Sequence, residues 1–331
     1  MKLRLPAYYK SFKCIADRCT DNCCIGWEID IDQKTADYYN SVDGEFGKRL
    51  EENIKDGSFV LCGERCPFLN NRNLCDIITT LGEEHLCCIC AEHPRFYGWY
   101  GDIKEGGIGL CCEEAARIIL TSCDSDYYET DIPDEDTEEV DEELFGFLVN
   151  AREEIFRYLD DDSISFHHKV CDLLDYGEAL QFESIDCRKF STASVENGAE
   201  SEKEADISAF ISAFDEFEPI DETWTTKLST LSGKKPTVCD KYLTNIFKYF
   251  VWRYFLRASF DGDVLTKLQF AAISCAMISI MADSDSLSDY VDAAKLYSKE
   301  IEYSEENVEM LCDMCLYDPV FSVENLKALV I

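Results

Sequence analysis

Thirteen of the nineteen cysteines in this 331-residue chain fall within its first 123 residues. No other feature constrains the fold as strongly, because thiols this dense form disulfides, bind metal or do redox chemistry. The opening residues, Met1 to Lys10, contain no apolar signal region and no small-residue cleavage site. The cytoplasm is therefore the expected location, and thiols stay reduced there. For the N-terminal third this favours ligation of a metal or an iron–sulfur centre, or redox chemistry, over disulfides.

The spacing supports ligation without fixing the kind of centre. Cys14, Cys19, Cys23 and Cys24 form one cluster, Cys66, Cys75 and Cys90 a second, and Cys111-Cys112 a third. Short intervals let one loop present several thiolates at a small loop-closure cost. Thiolates bind zinc and iron tightly. A ferredoxin-type C-x2-C-x2-C run does not occur. Cys19-x3-Cys23 and Cys62-x3-Cys66 open like a radical-enzyme motif, but Gly26 and Leu69 stand where its third cysteine belongs. Cys87-x2-Cys90 and Cys312-x2-Cys315 have no matching pair, so a zinc ribbon fits poorly. Neighbouring side chains point apart on helix and strand. For Cys23-Cys24 this leaves a tight loop near Gly26, service to two centres, or a single ligand. Cys171, Cys187, Cys239 and Cys275 read as small buried hydrophobes. Cys312 and Cys315, three apart on an expected helix, are read the same way.

The net charge of −36 repels phosphate backbones, and no basic stripe offsets it. Nucleic acid and anionic membranes are disfavoured partners. A cationic ligand or a lysine-bearing protein would be attracted, although solubility alone explains the charge. The longest apolar run, Phe270 to Ala282, is too short for a hydrocarbon core that needs about 20 residues. It reads as a buried helix.

The expected fold class is mainly α, with an irregular cysteine-rich metal-binding unit over residues 1–123 ahead of a helical bundle. Residues 124–143 are strongly acidic and read as a solvated linker. The helical domain then covers 144–331, with a possible loop over 191–206. Trp27, Ile29 and Ile31 alternate with Glu28, Asp30 and Asp32, which predicts a short strand. Thr35 to Leu50 has helical spacing, and Ala115 to Leu120 reads as a helix. Helices are also expected over Leu144 to Leu159 and Ile164 to Phe182. Leu243, Ile246, Phe247, Phe250, Tyr254 and Phe255 fall on one helical face. Val264 to Met281 is apolar nearly all round and hence central. Leu287 to Tyr303 follows, with Ser286 as its cap, and then Glu305 to Tyr317. Gly106-Gly-Ile-Gly109 lacks a clear strand before it and reads as a turn. The dinucleotide fingerprint G-x-G-x-x-G is missing.

Several of these segments together resemble the flagellin lysine-N-methylase family. They are Pro6-Ala7-Tyr8-Tyr9 with Phe12-Lys13-Cys14, Cys19-Thr-Asp-Asn-Cys23-Cys24-Ile-Gly-Trp27, Cys66-Pro67-Phe68-Leu69, Cys75-Asp-Ile77, Leu81-Gly82-Glu83, Cys90-x3-Pro94-Arg95 and Leu110-Cys111-Cys112 through Arg117. The resemblance is specific over the first 120 residues and looser beyond. It maps the metal ligands onto Cys14, Cys19, Cys23, Cys24, Cys66, Cys75, Cys90 and Cys112. Cys62, Cys87, Cys88, Cys111 and Cys123 are extras of this chain. The first cluster is also similar to zinc- or iron-chelating proteins with a C-x3-C-C core. His93 stands where the family often has an aromatic residue and reads as a packing or surface residue.

The resemblance implies an iron–sulfur cluster of the 4Fe-4S type, with zinc as the alternative. It further implies methyl transfer from S-adenosylmethionine to lysine side chains of flagellin. An amine nucleophile needs no radical, so a structural centre would suffice. The residues do not single out a catalytic base or a cofactor site, and the oligomeric state is open. The competing reading is a non-catalytic zinc- or iron-chelating, or redox-sensing, protein. The extra cysteines favour it, because adjacent thiols oxidise reversibly.

Overall fold

The helix Val264–Met281 is buried at every position except Leu265, which makes it the centre of the helical unit. Asp263 caps it, accepting from Thr266 N at 3.1 Å. It packs against helices Phe166–Phe182, Asp240–Tyr254, Leu287–Ile301 and Glu305–Tyr317. Each large apolar side chain so buried contributes about 1.5–3 kcal/mol, which outweighs local propensity. Gly177 permits the approach of Phe166–Phe182, since a Cβ there would lie 2.9 Å from Leu268 Cδ1. Among the described residues this is the one helix long and apolar enough to cross a membrane, and 94% of its span is buried in the protein. The expected caps are present: Ser286 accepts from Asp289 N at 3.2 Å, and Gly262 ends the preceding helix at φ +72°.

The computed structural model describes residues 1–26, 28–122, 125–137, 139–182, 206–220 and 222–329. Trp27, Cys123 and Cys187 lie outside these, as does the expected loop 191–206 apart from Asp206. Asp206 caps the helix Ile207–Ala213, accepting from Ala209 N at 2.9 Å.

The chain divides into two compact units. One comprises Met1–Ser11, Tyr97–Cys111 and Ala115–Ile331; the other comprises Phe12–Phe96 and Cys112–Glu114. A boundary at residue 123 does not match this division, because the chain's first residues belong with the helices. Lys2–Pro6 is a strand between Ile103–Ile108, which runs parallel to it, and Tyr127–Asp131, which runs antiparallel. Arg95–Tyr100 is the fourth strand of that sheet. Gly101, at φ +60°, turns the chain between it and Ile103.

The acidic stretch 124–143 is therefore more than a solvated linker. Its acids face cations of other strands: Lys2 meets Asp131 at 2.8 Å, Arg4 meets Glu129 at 2.9 Å, and Lys104 meets Glu135 at 2.8 Å. The expected turn at Gly106 is also corrected. Gly106 lies inside the strand Ile103–Ile108, and a Cβ on it would sit 2.6 Å from Tyr97 Cδ1 and 2.9 Å from Leu5 Cδ2. The glycine serves close packing. Beside it Glu105 and Arg152 form a buried bidentate ion pair at 2.6 and 2.7 Å.

In the second unit the alternation after Trp27 appears as burial of Ile29 and Ile31, without a regular strand. Phe59 N donates to Ile29 O at 3.0 Å and Ile31 N to Gly57 O at 2.8 Å, so the turn at Gly57 and the two-residue strand Ser58–Phe59 supply the partners. The helical spacing from Thr35 splits into Gln33–Asn40 and Gly44–Glu52. Gly47 allows the chain to fold back here, since a Cβ on it would lie 1.8 Å from the Val42 carbonyl oxygen.

Candidate functional site

The core of the thiol-rich unit is part hydrocarbon and part sulfur. Ile29, Ile31, Tyr39, Leu50, Phe59, Phe68, Leu69 and Ile77 pack with Cys66 and Cys87, and Cys24, Cys75 and Cys90 lie against them. Backbone bonds bring distant cysteines together. Cys66 N donates to Cys24 O at 2.9 Å, and Leu69 bridges to Cys75. Cys87 precedes the short helix Cys88–Glu92, which carries Cys90 one turn on.

These thiols influence one another. Contact with Cys23 pushes the Cys24 thiol pKa up, and burial and the charges of Cys66 and Cys75 add to it. Its hydrogen bond to Cys87 does the same to Cys90, followed by burial and the charges of Cys87, Cys24 and Cys66. Cys87, receiving that bond, is lowered to about 7. Burial raises Cys66 and Cys75. Cys23 and Cys24 sit in a turn leading into Gly26 at φ +80°, which is the tight loop among the alternatives open for that pair.

The eight expected ligands do not form one constellation. Cys24, Cys66, Cys75 and Cys90 gather at this core, joined by Cys87, which was set aside as an extra, while the exposed Cys23 touches Cys24. Cys19 lies apart. Its thiol is raised to about 12 by burial, despite a bond to Asp21 O, and it feels Glu113 and Cys112. Glu113 also accepts from Thr20 N at 2.7 Å and Thr20 Oγ1 at 2.6 Å. Cys14 is exposed, its sulfur accepting from Ala16 N at 3.4 Å.

Among the described residues, no three histidine, cysteine, aspartate or glutamate side chains stand close enough to hold one metal ion. The metal-binding character expected for the N-terminal unit thus has no single-ion geometry in the structure. The donor chemistry does fit a thiophilic centre. Five thiols share one core, with the exposed Cys23 beside Cys24, and nearby thiolates repel one another, a repulsion that a bound cation relieves.

The helical unit holds a second polar assembly, which sequence reasoning read as plain core. Tyr249 Oη donates to Glu302 at 3.0 and 3.1 Å, and Tyr254 Oη donates to it at 3.1 Å. Arg253 Nη1 donates to Tyr249 Oη at 2.7 Å and pairs with Glu302 at 3.0 Å. Cys111 Sγ meets Tyr303 Oη at 2.8 Å, so this cysteine belongs to the assembly. Burial pushes both Tyr249 and Tyr254 well above the usual phenol range. The one sequence signal was polar tips, Tyr249, Arg253 and Tyr254, along an otherwise apolar stripe.

Tyr249 also borders a shallow cleft that is open to solvent. Pro6, Tyr8, Ile119, Phe156 and Trp252 form its apolar and aromatic walls. Ser122, Ser125, Asp126, Asn245 and Lys248 supply its polar groups. Trp252 is fixed by a bond from Nε1 to Gly106 O at 3.0 Å and by the Arg152 guanidinium 4.4 Å above its ring.

Fold and sites define a mainly helical protein that carries a thiol-rich unit. The chain belongs to the flagellin lysine-N-methylase family. The family described as FliB lysine N-methylase C-terminal domain matches residues 195–329. The flagellar biosynthetic protein FliU of Salmonella muenchen is 31% identical over 133 residues, 36% of this chain and 78% of that protein. Lysine-N-methylases of Salmonella typhimurium and Salmonella choleraesuis are 30% identical over 133 residues, 36% of this chain. The match spans 33% of each of those two proteins, about a third of their length. No solved structure matches the chain.

Proposed function

We propose that this chain is a protein-lysine N-methyltransferase of the cytoplasm that takes methyl groups from S-adenosylmethionine, with flagellin as its protein substrate. One observation carries the reading. The family match over 195–329 contains the helix Asp240–Tyr254, which gives the cleft Asn245, Lys248, Tyr249 and Trp252. The region the family shares thus supplies four of the eleven residues that line the cleft, and the other seven come from earlier in the chain.

Bound S-adenosylmethionine supplies an electrophilic methyl group next to a positive sulfur. Such a cation suits aromatic faces and the exposed Asp126 carboxylate at the cleft. The protein's own tasks are to hold a neutral amine in line and to keep water out. As the N–C bond forms, the C–S bond breaks, the sulfur leaves as a neutral thioether, and the surplus proton on nitrogen passes to an acceptor. Four of Cys23, Cys24, Cys66, Cys75, Cys87 and Cys90 would hold an iron–sulfur cluster, with zinc as the alternative. The centre would supply cross-links to a unit whose core is partly thiol.

Calorimetric titration of the full chain with S-adenosylmethionine tests the enzyme reading. Saturable binding is expected. A folded protein with its centre intact that gives no binding signal would favour the chelating or redox-sensing reading.

A further inference from the structure

We infer that the cleft of the helical unit seats the substrate lysine side chain, and that Tyr8, Ser122 and Asn245 hold its amine; this rests on the methylase reading for the identity of the amine. Three oxygens at this cleft have no protein hydrogen bond. Ser122 Oγ is buried without a partner. The half-buried Tyr8 hydroxyl makes no hydrogen bond among the described residues. Asn245 commits its amide nitrogen to Leu120 O at 2.9 Å and Ser122 O at 2.8 Å, which leaves Oδ1 over.

The chemistry of what remains selects the ligand. A buried hydroxyl without a partner costs about 1–3 kcal/mol, so Ser122 Oγ awaits a partner, with Tyr8 Oη and Asn245 Oδ1 open beside it. Oδ1 is an acceptor only, and the two hydroxyls can both accept. The cleft's cation, Lys248 Nζ, is already bonded to Asp160, so an anion would find no free charge. A group with several N–H donors and a positive or neutral nitrogen is complementary to that set. The walls of Tyr8, Phe156 and Trp252 suit an aliphatic stem and, through their faces, an ammonium. The net charge of −36 draws such a cation to the protein.

The test needs no methyl donor. The full chain is titrated with Nα-acetyl-L-lysine methylamide and with the norleucine counterpart, which has the same stem without the amine. The lysine compound is expected to bind at least about tenfold more tightly. Tyr8→Phe and Ser122→Ala should each weaken it about 3–10-fold without lowering the melting temperature, since neither hydroxyl has an internal bond to lose and Ser122→Ala also removes a buried unpartnered group. Equal binding of the norleucine compound, or lysine binding untouched by both substitutions, overturns the inference. A chain that methylates flagellin yet shows either result keeps the enzyme reading and loses this site. One that binds lysine as described but transfers no methyl keeps the site and loses the enzyme reading.

Discussion

The carboxylate of Asp32 accepts the backbone N–H of Cys88 at 2.9 Å and that of Thr35 at 3.0 Å. One side chain thus starts two helices, its own and the one that carries Cys90, from segments 56 residues apart. It couples the loop after Cys24 to the Cys87–Cys90 pair.

Asp32→Ala should lower the stability of the chain by about 1–2 kcal/mol, the range for losing a helix cap. Urea unfolding followed by far-ultraviolet circular dichroism measures it. The bonds from Cys88 and Thr35 hold the carboxyl well below its usual 3.8. Its folded pKa is depressed, so its stabilising effect is complete above 3.8 and is lost as pH falls through the folded value. The wild type and Asp32→Asn should therefore converge in stability only in strong acid.

Arg152→Met should cost about 3–5 kcal/mol, because it leaves the Glu105 carboxylate buried without its bidentate partner. The double variant Glu105→Gln with Arg152→Met should recover part of that loss. Unfolding free energies of wild type, Arg152→Met, Glu105→Gln and the double variant, measured by denaturant, make the cycle. A single variant within 1 kcal/mol of wild type would deny the pair its role.

Helices and their caps were legible in the sequence because their signals are local. Ser286 precedes a helical run, and the apolar stripe from Leu243 to Tyr254 repeats at helical spacing. The sheet was not legible. Lys2–Pro6 pairs with residues about a hundred positions away on both sides, and the charges that set its register sit in a stretch that read as linker. The same limit applies to the thiols. Spacing grouped Cys14 with Cys19, Cys23 and Cys24, but packing groups Cys24 with Cys66, Cys75, Cys87 and Cys90. The Glu302 assembly joins Tyr249 to a residue on another helix segment, so no local pattern could announce it.

Gly106→Ala should cost about 1–3 kcal/mol by overpacking against Tyr97 and Leu5. Gly146→Ala is the control, since a Cβ there meets nothing within 4 Å and alanine favours the helix Glu142–Leu159. Melting temperatures should therefore move in opposite directions.

Cys66→Ser or Cys75→Ser should reduce bound metal in protein purified without oxygen and loosen the thiol-rich unit, because such binding is coupled to folding. Cys312→Ser, on the helix Glu305–Tyr317, should leave metal content unchanged. Elemental analysis with visible absorption reads both. Brown protein indicates an iron–sulfur cluster, and colourless protein with stoichiometric zinc indicates a zinc site. Equal metal in all three variants would contradict the ligand set.

The central claim is methyl transfer to lysine. The most direct measurement incubates the full chain with flagellin and isotopically labelled S-adenosylmethionine and maps labelled peptides by mass spectrometry. The account predicts label on lysine side chains, reduced by Tyr8→Phe and Ser122→Ala. Unlabelled flagellin from a folded chain with its thiol centre intact would contradict it.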